Sequence, residues 1–496
     1  MKLSRSQPRW LGIRSATIVL ILMLAPASGA VEGERVAEKL ERAPADPASS
    51  PGAQSWGDAE AILARIQAPE FPDRDFSIAD FGARPDAPDN SQAIRQAMAA
   101  CSRAGGGRVV VPVGRWMTGA VHLRSNVNLH VSEGATLEFS GDPEKYLPVV
   151  FTRFEGVELM NYSPLIYAFE QENIAVTGRG TLDGGASLQT WWGWNDRRGS
   201  DPPRQRASRE LLLEMGESGV RVADRVFGAG HYLRPNFIQL YRCRNVLVEG
   251  VRIVRSPMWE VHPVLCTNVT LRDLRISSHG PNNDGCDPES SRDVLIEGCV
   301  FDTGDDCIAI KSGRNNDGRR IGVPSENVIV RNCRMKDGHG GVVLGSEVSG
   351  GVRNVFIEKC TMDSRNLDRA LRIKSNARRG GVLENIFMRD VDVGRVTEAV
   401  LTIDLLYEEG AKGDFPPTVR NIQIQNVTST GSPRVMHVQG FEGATIDAIR
   451  FSDCRFSGLE AAEVLSGAGS VLLQNVVIEP AAKPGSLSSV PAAIPE

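Results

Sequence analysis

The chain has 496 residues, with 41% hydrophobic and 24% charged side chains, a composition typical of folded soluble proteins. Its formal net charge of −5 gives no support for a nucleic-acid partner. The length exceeds that of one ordinary compact domain, so two domains or one elongated solenoid are expected, and the 50 glycines favour a fold with many tight turns.

Residues 1–30 have the pattern of a secretory signal peptide. A basic leader is followed by a short apolar stretch, Ala16 to Leu24, and by the small residues Ser28-Gly29-Ala30. The apolar stretch is too short to favour a stable membrane span. We therefore expect export to the periplasm or the medium, with no membrane attachment after signal removal; an uncleaved anchor is the alternative.

The next segments predict a linker and then one long domain. Residues 31–72 are rich in Ala and Pro and predict a linker, with a short helical stretch near Ala59 to Ile66. A catalytic domain is expected over residues 73–480, beginning with an amphipathic helix near Ser91 to Ser102 that can cap the exposed end of a solenoid. Residues 481–496 predict a disordered tail.

A short phrase recurs along the domain: Asn or Asp, then Val or Ile, then alternating polar and apolar residues. It begins at Asn126, Asn173, Asn245, Asn268, Asp293, Asn327, Asn354, Asn385, Asn421 and, weakly, Asp447. From Asn245 onward the spacing between successive starts stays in the twenties and thirties, a period typical of parallel β-solenoids. A β-sandwich would instead show hairpin turns about every 8–12 residues. We predict an all-β fold, a right-handed parallel β-helix with an N-terminal capping helix.

The phrase is lost over about residues 181–236, which predicts an insertion. Its aromatic and basic side chains are Trp191, Trp192, Trp194, Arg197, Arg198, Arg204, Arg206 and Arg209. Tryptophans can stack on sugar rings and arginines can bind carboxylates. The same residues could equally pack as an ordinary loop with solvated charges, and both interpretations stay open.

The nine cysteines have no zinc-site spacing, and an odd count leaves at least one unpaired in a monomer. Most lie in strand-like runs, where a free Cys behaves as a small core residue. Buried thiols are therefore favoured over an extensive disulfide framework.

Charged side chains and one imidazole fall at matching phases of consecutive repeats. Counted from the start of its own repeat, Asp284 lies 16 after Asn268, Asp305 and Asp306 lie 12 and 13 after Asp293, His339 lies 12 after Asn327, and Arg372 and Lys374 lie 18 and 20 after Asn354. Equal phase on successive coils means the same face, at a strand spacing of about 4.8 Å. These residues should therefore converge on one lateral patch.

The expected patch has the groups needed to hydrolyse an acetal. Gly304 permits a bend that turns both Asp305 and Asp306 outward. With Asp284, three carboxylates would crowd one site, and their repulsion raises at least one pKa, leaving a proton donor beside ionised neighbours. His339 could tune or relay the proton. Arg372 and Lys374, which share a strand face, could bind an anionic sugar.

Four motifs resemble those of glycoside hydrolase family 28, the polygalacturonase family, in its bacterial and exo-acting members. They are Asn282-Asn283-Asp284-Gly285, Gly304-Asp305-Asp306, Gly338-His339-Gly340 and Arg372-Ile373-Lys374, in the family's order. The resemblance implies inverting hydrolysis of α-1,4-galacturonosyl linkages without a cofactor or metal. It departs from the family at Asn283 and in the position of a later tyrosine, for which Tyr407 is only a weak match.

Carried over by position, the resemblance makes Asp305 the general acid and lets Asp284 and Asp306 activate the water. It gives His339 an electrostatic role, and makes Arg372, Lys374 and Asn282 substrate-binding residues.

Other readings stay open at this stage. The substrate could be rhamnogalacturonan or another substituted pectin, and attack could be endo or exo, with exo preferred. The same fold could also carry a pectate-lyase-like enzyme or a non-catalytic carbohydrate-binding solenoid. A pectic polysaccharide or oligogalacturonide is the expected partner, bound by a monomer.

Overall fold

The computed structural model describes residues 55–195 and 204–481. The expected signal peptide, most of the linker and the tail from residue 482 lie outside the described residues. The helices within them are α1 (Trp56–Arg65), α2 (Ser91–Arg103), α3 (Gln205–Glu217) and α4 (Asn315–Ile321), with 3₁₀ turns at Ile78–Phe81, Pro143–Tyr146, Trp191–Trp194 and Val222–Asp224. No helix among them has the length and hydrophobicity of a membrane span.

Parallel strands stack coil upon coil into three long sheets, where a coil is one turn of the solenoid. Sheet one contains Asp75–Ser77, Gly107–Val111, Val127–Val131, Glu172–Gly178, Arg244–Glu249, Thr267–Arg272, Arg292–Glu297, Ser325–Arg331, Val352–Glu358, Val382–Gly394, Thr418–Thr430, Thr445–Ser452 and Val471–Gln474, with Arg455–Leu459 and Val477–Pro480 at its end. Sheet two contains Gly114–Thr118, Ala135–Phe139, Thr181–Asp183, Arg252–Val254, Arg275–Ser278, Val300–Thr303 and Arg334–Met335.

Sheet three carries the functional groups. It contains Val121–His122, Ile166–Phe169, Ile238–Tyr241, Val261–Val264, Ile308–Ile310, Val342–Leu344, Arg369–Lys374, Ala399–Asp404, Arg434–Gln439 and Val464–Ser466. Bridges from Val261 to Cys286 and from Cys286 to Ile308 join its two halves. The predicted right-handed parallel β-helix is therefore confirmed.

The repeated asparagines are explained by the turn that begins each sheet-one strand. The eight Asn residues of the phrase have φ between 52° and 64°, a left-handed conformation that Asn tolerates better than most residues. Their amides also form a ladder, in which Asn354 Nδ2 donates to Asn327 Oδ1 at 3.0 Å and Asn385 Nδ2 to Asn354 Oδ1 at 3.1 Å. At the weak Asp447 repeat the positive φ falls one residue later, on Ala448.

Helix α1 occupies the end of the range expected to be a linker, and it packs against the outside of sheet one. Ile62 is buried in a cluster with Leu295, Ile329, Phe356 and Phe387, outward-facing apolar residues that would otherwise meet water. Arg65 also binds Asp293 at 2.8 Å. This part of the segment therefore differs from a loose linker.

The first coil is capped by α2, as predicted, and the helix ends one residue later than expected. Its apolar face, with Ile94, Ala97 and Met98, is buried against the coil interior. All nine cysteines are free and buried, which confirms the preference for thiols over disulfides.

The insertion predicted over about residues 181–236 begins after Asp183, because the strand Thr181–Asp183 still pairs within sheet two. The tryptophans pack rather than face a groove: Trp191 is fully buried, and Trp192 donates to the Ser256 carbonyl at 2.8 Å. Part of the insertion joins a small sheet, called here the cover sheet, which is formed by Val150–Phe154, Val157–Asn161 and Val226–Phe227.

Candidate active site

The predicted acidic residues meet where the chain enters sheet three. The bridge between Cys286 and Ile308 sets Asp284 beside Asp306 on adjacent coils. One carboxylate oxygen from each of Asp284, Asp305 and Asp306 lies within 4.8 Å of the other two. Coil stacking thus brings together the three carboxylates that the repeat phase placed on one face.

Asp305 and Asp306 both reach the site because they occupy a bend between the strands Val300–Thr303 and Ile308–Ile310. Gly304 is required there for space: a Cβ would lie 2.6 Å from the Gly280 carbonyl oxygen of the neighbouring coil. The predicted bend is present, and close contact between coils is the reason for the glycine.

His339 and Asp305 form an ion pair on the outer side of the site. His339 Nδ1 lies 2.9 Å from Asp305 Oδ1, and the imidazole is half exposed. The hydrogen bond to Asp305 raises the pKa of His339 to about 9. Burial raises the pKa of Asp305, but the hydrogen bond and charge of His339 outweigh it and lower that pKa to about 2. At neutral pH the pair therefore holds one proton, on the imidazole.

Arg372 and Lys374 project from the strand Arg369–Lys374 toward Asp306. Lys374 Nζ lies 2.6 Å from Asp306 Oδ2, and Arg372 Nη1 lies 3.6 Å from Oδ1. The exposed fractions of Arg372 and Lys374 are only 9% and 6%, and Lys374 is taken up by the Asp306 carboxylate. The ring of Tyr407 lies beside both cations, 5.6 Å from Arg372 Cζ and 5.4 Å from Lys374 Nζ.

Asn282 and Asn283 hold the turn that presents Asp284. Asn282 Oδ1 accepts a hydrogen bond from Arg234 Nη2 at 2.7 Å, so the residue expected to bind substrate is engaged by the protein. Asn283 is fully buried; its Oδ1 accepts from Gly280 N, and its Nδ2 donates to the carbonyl oxygens of the neighbouring coil.

Sequence reasoning missed a second layer of charge beneath Asp284. Lys311 Nζ lies 3.3 Å from Glu347 Oε2, 3.5 Å from Asp287 Oδ1 and 3.7 Å from Asp284 Oδ2, and over the ring of Trp259. A signal was available, because Lys311 follows Asp293 at the same interval at which Arg372 follows Asn354.

The carboxylates of Asp284, Asp305 and Asp306 are close enough to hold a cation between them. In this chain, the ammonium groups of Lys311 and Lys374 lie beside Asp284 and Asp306 and already supply positive charge there. The site thus has its own means of compensating the crowded carboxylates.

The cover sheet closes sheet three on the N-terminal side of the site. Tyr167 donates to the Phe151 carbonyl at 2.6 Å, and Gln239 donates to the Arg153 carbonyl at 3.1 Å and is fully buried. On the C-terminal side, outward residues of sheet three such as Asp404 and His437 are partly exposed. The groove over the carboxylates is therefore covered toward earlier coils and open toward later ones.

Ion pairs tie this wall to the site. Arg209 of α3 binds Glu155 at 2.6 Å, and Arg314 bridges Glu155 and Glu347, each at 3.3 Å. Glu347 in turn contacts Lys311. A continuous network of ion pairs thus connects the insertion to Lys311 beneath Asp284.

The family model described as glycosyl hydrolases family 28 matches residues 228–465. A probable polygalacturonase of Vitis vinifera is 29% identical over 326 residues, covering 63% of this chain and 59% of that protein. An exo-poly-alpha-D-galacturonosidase of Dickeya chrysanthemi is 26% identical over 426 residues, covering 78% and 68%. The chain thus spans less than two thirds of the Vitis protein.

Among solved structures, the crystal structure of a hyperthermoactive exopolygalacturonase from Thermotoga maritima is similar over nearly its whole length. Its sequence is 47% identical, and the superposition has a TM-score of 0.82 and covers 86% of this chain and 96% of that one. A polygalacturonase from Erwinia carotovora subsp. carotovora, at 21% identity and a TM-score of 0.59, shares the fold.

Proposed function

The chain belongs to glycosyl hydrolases family 28, and on this premise we propose that it hydrolyses α-1,4-galacturonosyl linkages of polygalacturonate or oligogalacturonides, attacking from a chain end. The observation that carries the proposal is the approach of one carboxylate oxygen from each of Asp284, Asp305 and Asp306 to within 4.8 Å, with Asp305 partly exposed. Acetal hydrolysis needs an acid and a base held on either side of one bond, and this cluster can supply both.

Asp305 and His339 act as the acid in this proposal. Asp305 is the most exposed of the three carboxylates and faces the half-exposed imidazole. The proton that the pair holds passes through Asp305 to the leaving oxygen as the glycosidic bond breaks. His339 is left neutral by this transfer and then recovers a proton from solvent.

Asp284 and Asp306 act as the base and hold the attacking water. The acid Asp305 offers an oxygen within 4.8 Å of these two carboxylates, below the range of about 6.5–9.5 Å that is usual between the acid and the base of inverting glycosidases and near the value of about 5–5.5 Å of retaining ones. A single water can still make hydrogen bonds of about 2.8 Å to one oxygen of Asp284 and one of Asp306, because these oxygens lie within 4.8 Å of each other. Direct attack by this water inverts the anomeric centre, as the resemblance implies.

The Arg372 cation beside the carboxylates favours the binding of an acidic sugar. The Arg372 guanidinium lies next to Asp306 and over the Tyr407 ring. A planar guanidinium binds a carboxylate through two parallel hydrogen bonds, and the aromatic ring restricts its orientation.

Chain-end attack is supported by the covered side of the groove. A polymer lying along sheet three would collide with the cover sheet at Tyr167 and Gln239, where outward side chains are buried. A terminal sugar can reach the carboxylates with the rest of the chain directed toward the open side. The Dickeya and Thermotoga relatives are named as exo-acting enzymes, which agrees with this proposal.

The proposed enzyme is exported and monomeric. Export follows from the leader in residues 1–30, and the pectic substrate is met by a monomer outside the cytoplasm. The N-terminal sequence of the protein recovered from the periplasm or medium tests export, and sedimentation tests the monomer. Rhamnogalacturonan or another substituted pectin is the second substrate candidate.

The central experiment is digestion of a panel of pectic substrates, with Asp305→Asn as the inactive control. We expect new reducing ends from polygalacturonate, only monomers or dimers among the early products, and a β-anomer seen first by proton NMR. Products that absorb in the ultraviolet would indicate a lyase instead. Mixed oligomers would contradict chain-end attack, and binding without cleavage by both proteins would indicate a carbohydrate-binding solenoid.

A further inference from the structure

A buried lysine lies beneath the proposed base. Lys311 is 3% exposed, and its ammonium group is shared by Glu347, Asp287 and Asp284 at 3.3, 3.5 and 3.7 Å. Its other side is covered by the Trp259 ring, whose centroid lies 4.5 Å away. A lysine held this way has no route to bulk water and contacts the catalytic cluster through Asp284.

Lys311 and Lys374 occupy the same outward column of sheet three, two coils apart. The pairings of Ile310 with Leu344 and of Leu344 with Ile373 set Lys311, Gly345 and Lys374 in line. Gly345 leaves the space between the two lysines clear of any side chain. Each ammonium group then lies against a different member of the catalytic pair, Lys311 against Asp284 and Lys374 against Asp306.

We propose that Lys311 is a positioning residue for the hydrolysis: its ammonium group, beside both carboxyl groups, favours the ionised form of Asp284 that accepts a proton from the attacking water, against the opposing effect of Asp287. This inference rests on the proposed function and deepens it, because it assigns Asp287 and Lys311 opposite effects on the same base.

Charge surrounding Asp284 makes this compensation necessary. Burial and the charges of Asp287, Asp305 and Asp306 together raise the pKa of Asp284 well above its usual value, and Lys311 opposes that rise. Glu260, on the inner side, has a pKa raised by burial and by the charge of Asp284. Lys311 is thus the cation that acts directly on a base otherwise surrounded by acids.

Lys311 can keep its charge in this position. Burial lowers its pKa, but Glu347, Asp284 and Asp287 outweigh that effect and raise it well above the usual value. Glu347 is held in turn by Arg314, so it stays ionised beside the lysine. A neutral lysine would leave buried carboxylates uncompensated, which is costly in a site of low polarity.

The test is the pH dependence of kcat/KM on polygalacturonate for Lys311→Met and Asp287→Asn. A base must be ionised, so activity rises with pH through its pKa. Loss of the cation in Lys311→Met should move this acid limb up by about 1 pH unit or more, with a fall in kcat on the order of 10- to 100-fold below it and little change in KM. Loss of the anion in Asp287→Asn should move the limb down.

Matched controls make the result specific. Lys359→Met makes the same substitution at an exposed lysine and should leave the profile unchanged. The double variant Lys311→Met with Asp287→Asn should return the limb toward its original position. Thermal unfolding checks that each variant is folded, and Asp287→Asn alone tests the inference if Lys311→Met does not fold.

A purely structural lysine would lower activity without opposite shifts of the limb, and unmoved limbs in both single variants would overturn the inference. A readout without substrate separates this from failure of the proposed function. Difference infrared spectra of the carboxyl band, taken against Asp284→Asn across a pH series, should show Asp284 titrating at higher pH in Lys311→Met. Inactivity of the unaltered protein on every pectic substrate would overturn the proposed function, whatever the spectra show.

Discussion

The Nδ1 atom of His339 lies 2.9 Å from Oδ1 of Asp305, although 34 residues separate them in sequence. One coil of the β-helix brings them together, and each shifts the pKa of the other, to about 9 for His339 and about 2 for Asp305. The pair is therefore charged at neutral pH, with one proton held by the imidazole against the Asp305 carboxylate.

Replacing Asp305 by Asn should lower kcat by about 10²-fold or more, because the path of that proton to the leaving oxygen is lost. Stability should also fall at neutral pH, because the ion pair with His339 is lost, so thermal unfolding is measured alongside to show that the variant is folded at the assay temperature. The measurement is initial-rate kinetics on polygalacturonate. Asp302→Asn, in the same coil and bonded to His279 rather than to the site, serves as the matched control and should retain activity. Equal losses in the two variants would remove Asp305 from its role.

Replacing His339 by Gln should flatten the pH dependence of stability above neutral pH. The folded-state pKa of His339 lies above its usual 6.5, so its contribution is fully present below pH 6.5 and is lost as pH rises through about 9. Asp305 contributes above its usual 3.8, and that contribution is lost as pH falls through about 2. Urea midpoints between about pH 6 and 10 should fall in the unaltered protein more steeply than in His339→Gln; parallel curves would contradict the ion pair.

Replacing Arg372 by Gln should raise KM for oligogalacturonides about 10-fold or more, because a charge-assisted bond to a sugar carboxylate is lost. Methyl-esterified oligomers lack that carboxylate charge, so the ratio of variant to unaltered KM should fall toward one with them. The matched variant Lys374→Gln should instead lower kcat, because Lys374 holds Asp306 at 2.6 Å. A KM penalty that persists on the ester would show that Arg372 acts through Asp306.

Replacing Asn354 by Ala should destabilise the fold by about 2–4 kcal/mol, since two ladder hydrogen bonds are lost and a non-Gly residue is left at φ 60°. Asn354→Gly removes the same hydrogen bonds but adopts this φ freely, so it should be the more stable variant by about 1 kcal/mol. Denaturant unfolding measures both. A Gly variant no better than the Ala variant would show that the backbone conformation contributes nothing to the preference for Asn.

Sequence alone was enough for the fold and for the meeting of the acidic residues. Most coils begin with a residue at positive φ whose side-chain amide donates to the coil before it, so Asn recurs, and its spacing counts the coils. Once the coils are counted, phase places Asp284, Asp305, Asp306 and His339 on one flank, because stacked strands keep residues in register.

Only the tertiary structure decided what surrounds those groups. Loop lengths differ between coils, so Lys311 follows its repeat start at a shorter interval than Lys374 does. The two lysines nevertheless share a column, and the strand pairings are needed to show that shared column, because the intervals do not match. The cover sheet and α1 come from outside the repeat and reach the solenoid through long-range packing that no local pattern encodes. Burial then determines that Lys374 binds Asp306, that Asn282 is engaged by Arg234, and that the groove is closed at one end, because desolvated charges must find partners wherever the folded chain supplies them.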